Sequence, residues 1–442
     1  MRAPRRTHAL ALHERHEATP PSSLRQLLSH RRTLLLQGPM GPFFARLAGL
    51  LRARGTRVFK INFNGGDRLF FRGPDACDYV GTLPDWTAWL RDFVQARQIT
   101  CIVLFGQSRP IHAPVAALAR QIGVQLFVFE EGYLRPSWVT LEAGGVNGHS
   151  PLPRSRDAYD AIAPESLASP GHERATGQHF ARTALLAMAY GLARALLRPR
   201  YPAEVFHRPL SPVVESARWL RGGARKVLHA ARGRSTLAEL TAVDRSGRWY
   251  LLPLQVHNDS QILCHSSFRT MEAVIDTVMA SFAAHADESD WLVIKHHPMD
   301  RAYRDYARHI DRRASALGIL ARVRYVHDLH LPTLLRHTRG VVTVNSTTGL
   351  QALHHQRPVT TLGDCFYAIP GLVHAGPLAT FWGAPGEVDM PLFRRFRHHL
   401  IEHTQINASF YARAPALDAL QARSGGPAAQ RHEGVDRTSA GC

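Results

Sequence analysis

RTLLLQGPMGPFFARLAGLLRARGTRVFKINFNGGD, residues 32–67, carries a strand, a helix and a second strand in succession. Residues 32–36 are a short apolar run that Gly38-Pro39 stops. PFFARLAGLLRAR (42–54) follows with apolar side chains at helical spacing, and TRVFKINFN (56–64) returns to an aromatic and β-branched strand closed by Gly65-Gly66-Asp67. Strand, amphipathic helix, strand is the signature of a parallel βαβ unit.

The alternation continues outward. WTAWLRDFVQAR (86–97) reads as a helix, ITCIVLFG (99–106) as a strand, PVAALARQIG (114–123) as a helix and VQLFVFEEG (124–132) as a strand. A second alternation opens at RWYLLPLQ (248–255). It runs through a helix near 270–285, WLVIKHHP (291–298), a helix near 302–317, VRYVHD (323–328), GVVTVNS (340–346), the helix of TGLQALHH (348–355) and PVTTLG (358–363). The expected fold class is α/β: two Rossmann-like domains with parallel sheets facing across a cleft, plus a basic helical insertion. The expected divisions are a flexible basic arm (1–31), an N-terminal Rossmann-like domain (32–154), a basic helical linker (155–247), a C-terminal Rossmann-like domain (248–421) and a disordered tail (422–442).

The chain has 442 residues, 45% hydrophobic and 20% charged, which excludes global disorder. Its 54 basic against 35 acidic residues give +19 and favour anionic partners. Nearly all of that charge is arginine; Lys60, Lys226 and Lys295 are the only lysines, a bias that a GC-rich genome also produces. Five cysteines without a CxxC pair fit a reducing compartment. No secretory signal and no run of about 18–20 apolar residues is evident, so the expected location is cytoplasmic or peripheral to a membrane. Residues 181–235 hold eleven Lys/Arg against two Glu. TALLAMAYGLARALLR and ARWLRGGARKVLHAAR within them read either as an element that meets anionic lipid or as a solvated helical linker.

The strands end in polar, non-repeating sequences. In open α/β sheets ligands bind beyond these carboxyl ends. In the first unit they are Gln37-Gly38-Pro39, Asn64-Gly65-Gly66-Asp67, Gly106-Gln107-Ser108-Arg109 and Glu130-Glu131-Gly132. In the second they are Gln255-x-x-x-Asp259, His296-His297-Pro298, His327-Asp328 and Asn345-Ser346-Thr347-Thr348-Gly349. Strand alternation sends Glu130 and Glu131 to opposite sides, so one can face the cleft as an acid or base. Asp259 is a nucleophile, base or ligand-orienting group, or an N-cap. A His held before Pro298 can offer an imidazole N–H to a phosphate, and Ser346, Thr347 and Thr348 open a helix that can do the same or merely be capped. Walker A, GxGxxG, HExxH and DxD patterns are absent, which counts against nucleotide hydrolases, ordinary dinucleotide enzymes and zinc proteases.

Taken in order, the acidic-Gly, QxxxD, His-Pro and Ser-Thr segments resemble the capsule polysaccharide biosynthesis family of the KpsS and LipB type, related to KpsC. The matching stretches lie within 33–154 and 248–412. The resemblance implies a GT-B fold and a retaining β-Kdo transferase. It would carry Kdo from CMP-Kdo to phosphatidylglycerol or lyso-phosphatidylglycerol at an anionic membrane surface, alongside other capsule synthesis and export proteins. It implies Asp259 as the nucleophile, with Glu131, or second Glu130, as the base on the acceptor hydroxyl. His297, Pro298, Ser346, Thr347, Thr348 and Gln255 would hold the CMP phosphate and ribose. Lys295, Arg135, Arg109, Asn64 and Gln37 are candidates for Kdo or acceptor binding. No cofactor and no metal are implied, because phosphate is the leaving group. The family carries an acidic residue near Gln107, where this chain departs from it. Two alternatives stand: a teichoic-acid-like polyol-phosphate transferase, and a non-enzymatic partner of the capsule export machinery. Nucleic-acid binding is not expected, since no known module or aromatic–basic interleaving is present.

Overall fold

A computed structural model of the chain describes residues 20–163, 173–177, 180–204, 212–257 and 259–424. Its strands are β1 (Arg32–Leu35), β2 (Arg57–Asn62), β3 (Ala76–Asp78), β4 (Cys101–Phe105), β5 (Gln125–Glu131), β6 (Trp138–Ala143), β7 (Trp249–Pro253), β8 (Trp291–Lys295), β9 (Val323–Val326), β10 (Gly340–Thr343), β11 (Val359–Thr361) and β12 (Gln405–Asn407). The first sheet has the order β12-β6-β5-β4-β1-β2-β3 and the second β11-β10-β7-β8-β9. β1 to β5 are parallel, while β6 runs antiparallel to β5 and β12 antiparallel to β6. The second sheet is parallel throughout. The architecture is therefore the expected GT-B-like pair of Rossmann-like sheets.

Helices cover both faces. In the first unit they are α1 (Ser22–Leu28), α2 (Phe43–Ala53), α3 (Gly65–Phe70), α4 (Leu83–Ala96) and α5 (Val115–Gln121). Between the units lie α6 (Asp157–Asp160), α7 (Phe180–Leu196) and α8 (Pro212–Thr241). The second unit has α9 (Ser260–His265), α10 (Met271–His285), α11 (Ala307–Ala316), α12 (Leu331–His337), α13 (Thr348–His354), α14 (Leu378–Phe381) and α15 (Met390–His403), and α16 (Pro415–Ser424) follows β12. β4, β7 and β8 are buried along their whole length, as strands covered on both faces must be, which is why they read as unbroken apolar runs.

Three expected boundaries change. Within the arm expected at 1–31, residues 22–28 form α1, whose Leu24 and Leu27 are fully buried in the first core. Two leucines three apart make a stripe too narrow to show against the surrounding arginines and histidines. The second unit ends before 421: β12 pairs with β6, and α16 packs on α2 with Asp418 2.6 Å from Arg46. Residues 422–424 of the expected tail belong to α16. Residues 1–19 and 425–442, on which the arm and tail readings also fall, lie outside the described residues.

The two units are packed together. Tyr133, after β5, stacks on Phe366 with ring centroids 4.0 Å apart. Leu152 and Tyr159 enter the core of the second unit, and Arg156 pairs with Asp389 at 2.6 Å. The expected linker begins inside this interface.

Candidate active site

Each sheet has a switch point where its strand order reverses, between β1 and β4 in the first and between β7 and β10 in the second. Open α/β sheets bind ligands at such crevices. In the first, Arg109 follows β4 and donates from Nη1 to the Gln37 Oε1 at 2.8 Å and the Gly38 carbonyl at 3.3 Å, both beyond β1. In the second, Gln255 follows β7. Its Nε2 donates to Asp259 Oδ2 at 3.1 Å and to Asn345 Oδ1 at 3.2 Å, and its Oε1 accepts from the Asn345 N–H at 3.4 Å. Gln255 thus spans the crevice and holds the Asp259 carboxylate in place.

Glu130 and Glu131 sit on β5 opposite Thr140 and Val139 of β6. The Glu131 N–H donates to Glu130 Oε1 at 3.0 Å. Burial raises the Glu130 carboxyl to about 7, and the nearby Glu131 and Asp259 charges push it the same way, against Arg109. Asp259 comes from the second domain, so Glu130 feels it across the cleft. Glu131 instead accepts from Arg135 Nη1 at 3.2 Å and lies more open. Gly132 is required by a close approach: a Cβ there would stand 2.1 Å from the Trp138 carbonyl oxygen.

The His-Pro loop is built around two caps. His297 Nδ1 accepts the Met299 N–H at 3.2 Å. A neutral imidazole that accepts at Nδ1 carries its proton on Nε2, which is then a donor. Burial, with Lys295 beside it, holds His297 below the usual imidazole range, while Asp300 and Asp259 oppose the shift and Arg135 adds to it. Lys295 is itself buried and lowered by desolvation. Pro298 is exposed and starts the turn. Asp300, fully buried, accepts the His257 N–H at 2.7 Å and meets its ring Nδ1 at 2.5 Å. The Gln255–Asp259 loop and the His-Pro loop are clamped to each other by that carboxylate.

Ser346 Oγ accepts the Thr348 N–H at 3.2 Å and donates to Thr348 Oγ1 at 3.2 Å. Thr347 makes no side-chain cap bond, and all three hydroxyl residues are half-buried beside Asn345. Among the described residues no group of three His, Cys, Asp or Glu side chains is arranged to hold a metal.

Two expected ligand contacts become structural. Asn64 is fully buried and caps α3, its Oδ1 accepting from the Asp67 N–H at 2.9 Å. Gln37 is 1% exposed and donates to Asp67 at 3.2 Å while bracing Arg109. Both side chains are buried, a placement that polar residues after a strand cannot reveal. Gln107, where an acid was expected, accepts the Val146 N–H at 3.2 Å and fixes the loop after β6.

Residues 100–411, more than half of the chain, match the family described as capsule polysaccharide biosynthesis protein. The chain belongs to the capsule polysaccharide biosynthesis family. It is 41% identical over 390 residues to the Escherichia coli capsule polysaccharide export protein KpsS, covering 88% of this chain and 99% of that one. It is 38% identical over 397 residues to the capsule polysaccharide modification protein LipB of Neisseria meningitidis serogroup B, covering 88% and 94%. Among solved structures it is similar to the KpsC β-Kdo 2,7 transferase of Thermosulfurimonas dismutans, with a TM-score of 0.38 and 14% identity over 89% of this chain and 97% of that one.

In this capsule biosynthesis protein the residues that sequence reading passed over are Asp300, His257 and Asn345. Asp300 lay two positions beyond the His-Pro pair, and an acid closing a Pro-initiated turn was the available signal. His257 and Asn345 stood inside quoted motifs, but their partners come from other strands, and pairing across a sheet leaves no mark in local sequence.

Proposed function

We propose that this protein is a retaining glycosyltransferase that moves Kdo from CMP-Kdo to a phosphatidylglycerol-type lipid at the inner face of the membrane. The observation that carries the reading is the Asp259 carboxylate, fixed by Gln255 at 3.1 Å beyond β7, with the buried Glu130 of the other domain near enough for the Asp259 charge to add to the burial that raises it to about 7. Retention requires two displacements. Asp259 attacks the anomeric carbon, the bond to the CMP phosphate breaks, and a Kdo–enzyme ester forms. The acceptor hydroxyl then attacks that carbon, its proton passes to Glu130, and the Asp259 carboxylate is released.

The surroundings support each step. His297 Nε2–H donates to the departing phosphate, and Lys295 adds positive charge behind it. Arg135, held by Glu131, receives the Kdo carboxylate. Glu130 is favoured over Glu131 as base because a carboxyl near 7 matches proton uptake at neutral pH, whereas Glu131 is engaged by a guanidinium. Ser346, Thr347 and Thr348 complete the CMP side.

The test is intact-mass spectrometry after incubation with a CMP-Kdo generating system, with a short fluorescent phosphatidylglycerol analogue in parallel. The expected result is a mass gain of one Kdo that vanishes in Asp259→Ala, and Kdo on the lipid only with the wild type. Folded protein with neither adduct nor product would overturn the proposal. It would favour a polyol-phosphate transferase, which needs no Asp259 nucleophile.

A further inference from the structure

α7 has two unlike faces. On one, Leu186 lies 3.2 Å from the position of a Cβ on Gly41, Tyr190 crowds Gly66, and Ala193 with Leu197 crowds Gly65. The glycine pair at the start of α3 is the notch into which this helix seats. Tyr190 is buried, donates to Asp67 at 2.9 Å and accepts from Gln37 at 3.4 Å. Gln37 in turn holds Arg109. The inner face of α7 is therefore wired into the crevice between β1 and β4.

The other face holds Leu185, Met188, Leu192 and Leu196, exposed by 62, 56, 62 and 70%. Their spacing of three, four and four places them in one stripe along the helix. Leu69, Val80, Val243 and Leu320, exposed elsewhere in the described residues, lie on separate segments, whereas these four share one side of one helix. α7 contains no Asp or Glu. Arg182 in its first turns and Arg198 just beyond its last are exposed. Apolar stripe, flanking arginines and no carboxylate match the charge and polarity of an anionic lipid interface. Among the described residues no helix is long and apolar enough to cross a membrane.

We propose that α7 is an interfacial helix whose Leu185–Met188–Leu192–Leu196 stripe enters the acyl boundary of an anionic phospholipid bilayer. Arg182 and Arg198 meet the headgroups. The inference deepens the lipid-acceptor reading above: the face that touches the bilayer and the face that braces Arg109 are opposite sides of one helix, which sets the acceptor side of the cleft against the membrane.

Flotation of the full-length protein with phosphatidylcholine vesicles, with and without phosphatidylglycerol, tests this. Wild type is expected to float with the anionic vesicles only. Leu192→Glu with Leu196→Glu should cut the bound fraction about tenfold or more with unchanged melting temperature, and Arg182→Glu with Arg198→Glu should weaken it about tenfold. A wild type that does not float, or a leucine variant that floats as well as wild type, overturns the proposal. So does a wild-type dimer that the leucine substitutions dissociate, which would make a second copy the occupant. The lipid-free Kdo adduct on Asp259, read on the same samples, separates the two claims. An adduct without flotation defeats the docking face alone, and flotation without an adduct defeats the transferase reading while supporting the docking face.

Discussion

Two adjacent carboxylates with opposite surroundings make a sharp comparison. Glu130→Gln is expected to lower transfer by about 10²–10⁴-fold, the usual contribution of a positioned base, while the Kdo adduct still forms and accumulates. Glu131→Gln should cost under about tenfold in turnover and act on the donor KM through Arg135. In the wild type, transfer rate should fall as pH drops through about 7, where Glu130 takes up its proton. The stability linkage has the opposite sense. A carboxyl raised from 4.5 to about 7 contributes stability that is full below pH 4.5 and lost as pH rises through 7. Glu130→Gln should therefore melt higher than wild type above pH 7, which calorimetry across pH would show. Asp300→Ala removes the acceptor for both His257 donors at a fully buried position. It should destabilise by about 1–3 kcal/mol in urea unfolding and raise the CMP-Kdo KM more than it lowers kcat. The sequence made Gln255, Asp259 and His297 legible because each closes an apolar strand. It put Glu131 ahead of Glu130, since the burial that raises Glu130 and the Arg135 contact that engages Glu131 come from packing that the local sequence does not show.

At the scale of elements, the turn from β5 into β6 is the tightest place near the cleft. Gly132→Ala drives a methyl group against the Trp138 carbonyl, and backbone at 2.1 Å has nowhere to go. The substitution should cost roughly 1–3 kcal/mol or more and shift Glu130 and Glu131 together. Thermal melting and loss of adduct turnover in the same variant would show it; a variant with wild-type melting and turnover would refute the packing argument. The parallel strands were readable because burial on both faces makes them continuous apolar runs. β6 was not, because it follows Pro136 and lies antiparallel to β5 with no crossover helix before it. β12, three residues long, carries no periodicity at all. α7 and α8 were recognised as basic apolar helices, but only the structure divides the sides of α7.

For the molecule as a whole, one buried charge sets a pH window. Lys60 is 2% exposed, and desolvation lowers its ammonium from 10.5 to about 8 against the pull of Asp67, Cys77 and Asp78. Below pH 8 the folded state bears a charge that water would hold better. Stability from this group should rise between pH 8 and 10.5, where the unfolded chain still binds the proton and the native chain does not. Lys60→Met should raise stability at pH 7 by about 2–3 kcal/mol and flatten that rise, as denaturant titrations at several pH values would reveal.

β6 is finished on one side by β5 and on the other by β12, which is made only after the entire second sheet. During translation at about 5–20 residues per second, that edge stays open for tens of seconds while roughly 260 further residues are synthesised. Unpaired strand edges invite pairing with other chains. Nascent chains of this protein should therefore lean on ribosome-associated chaperones across that interval, and the emergence of residues 405–407 is the event that seals the first domain.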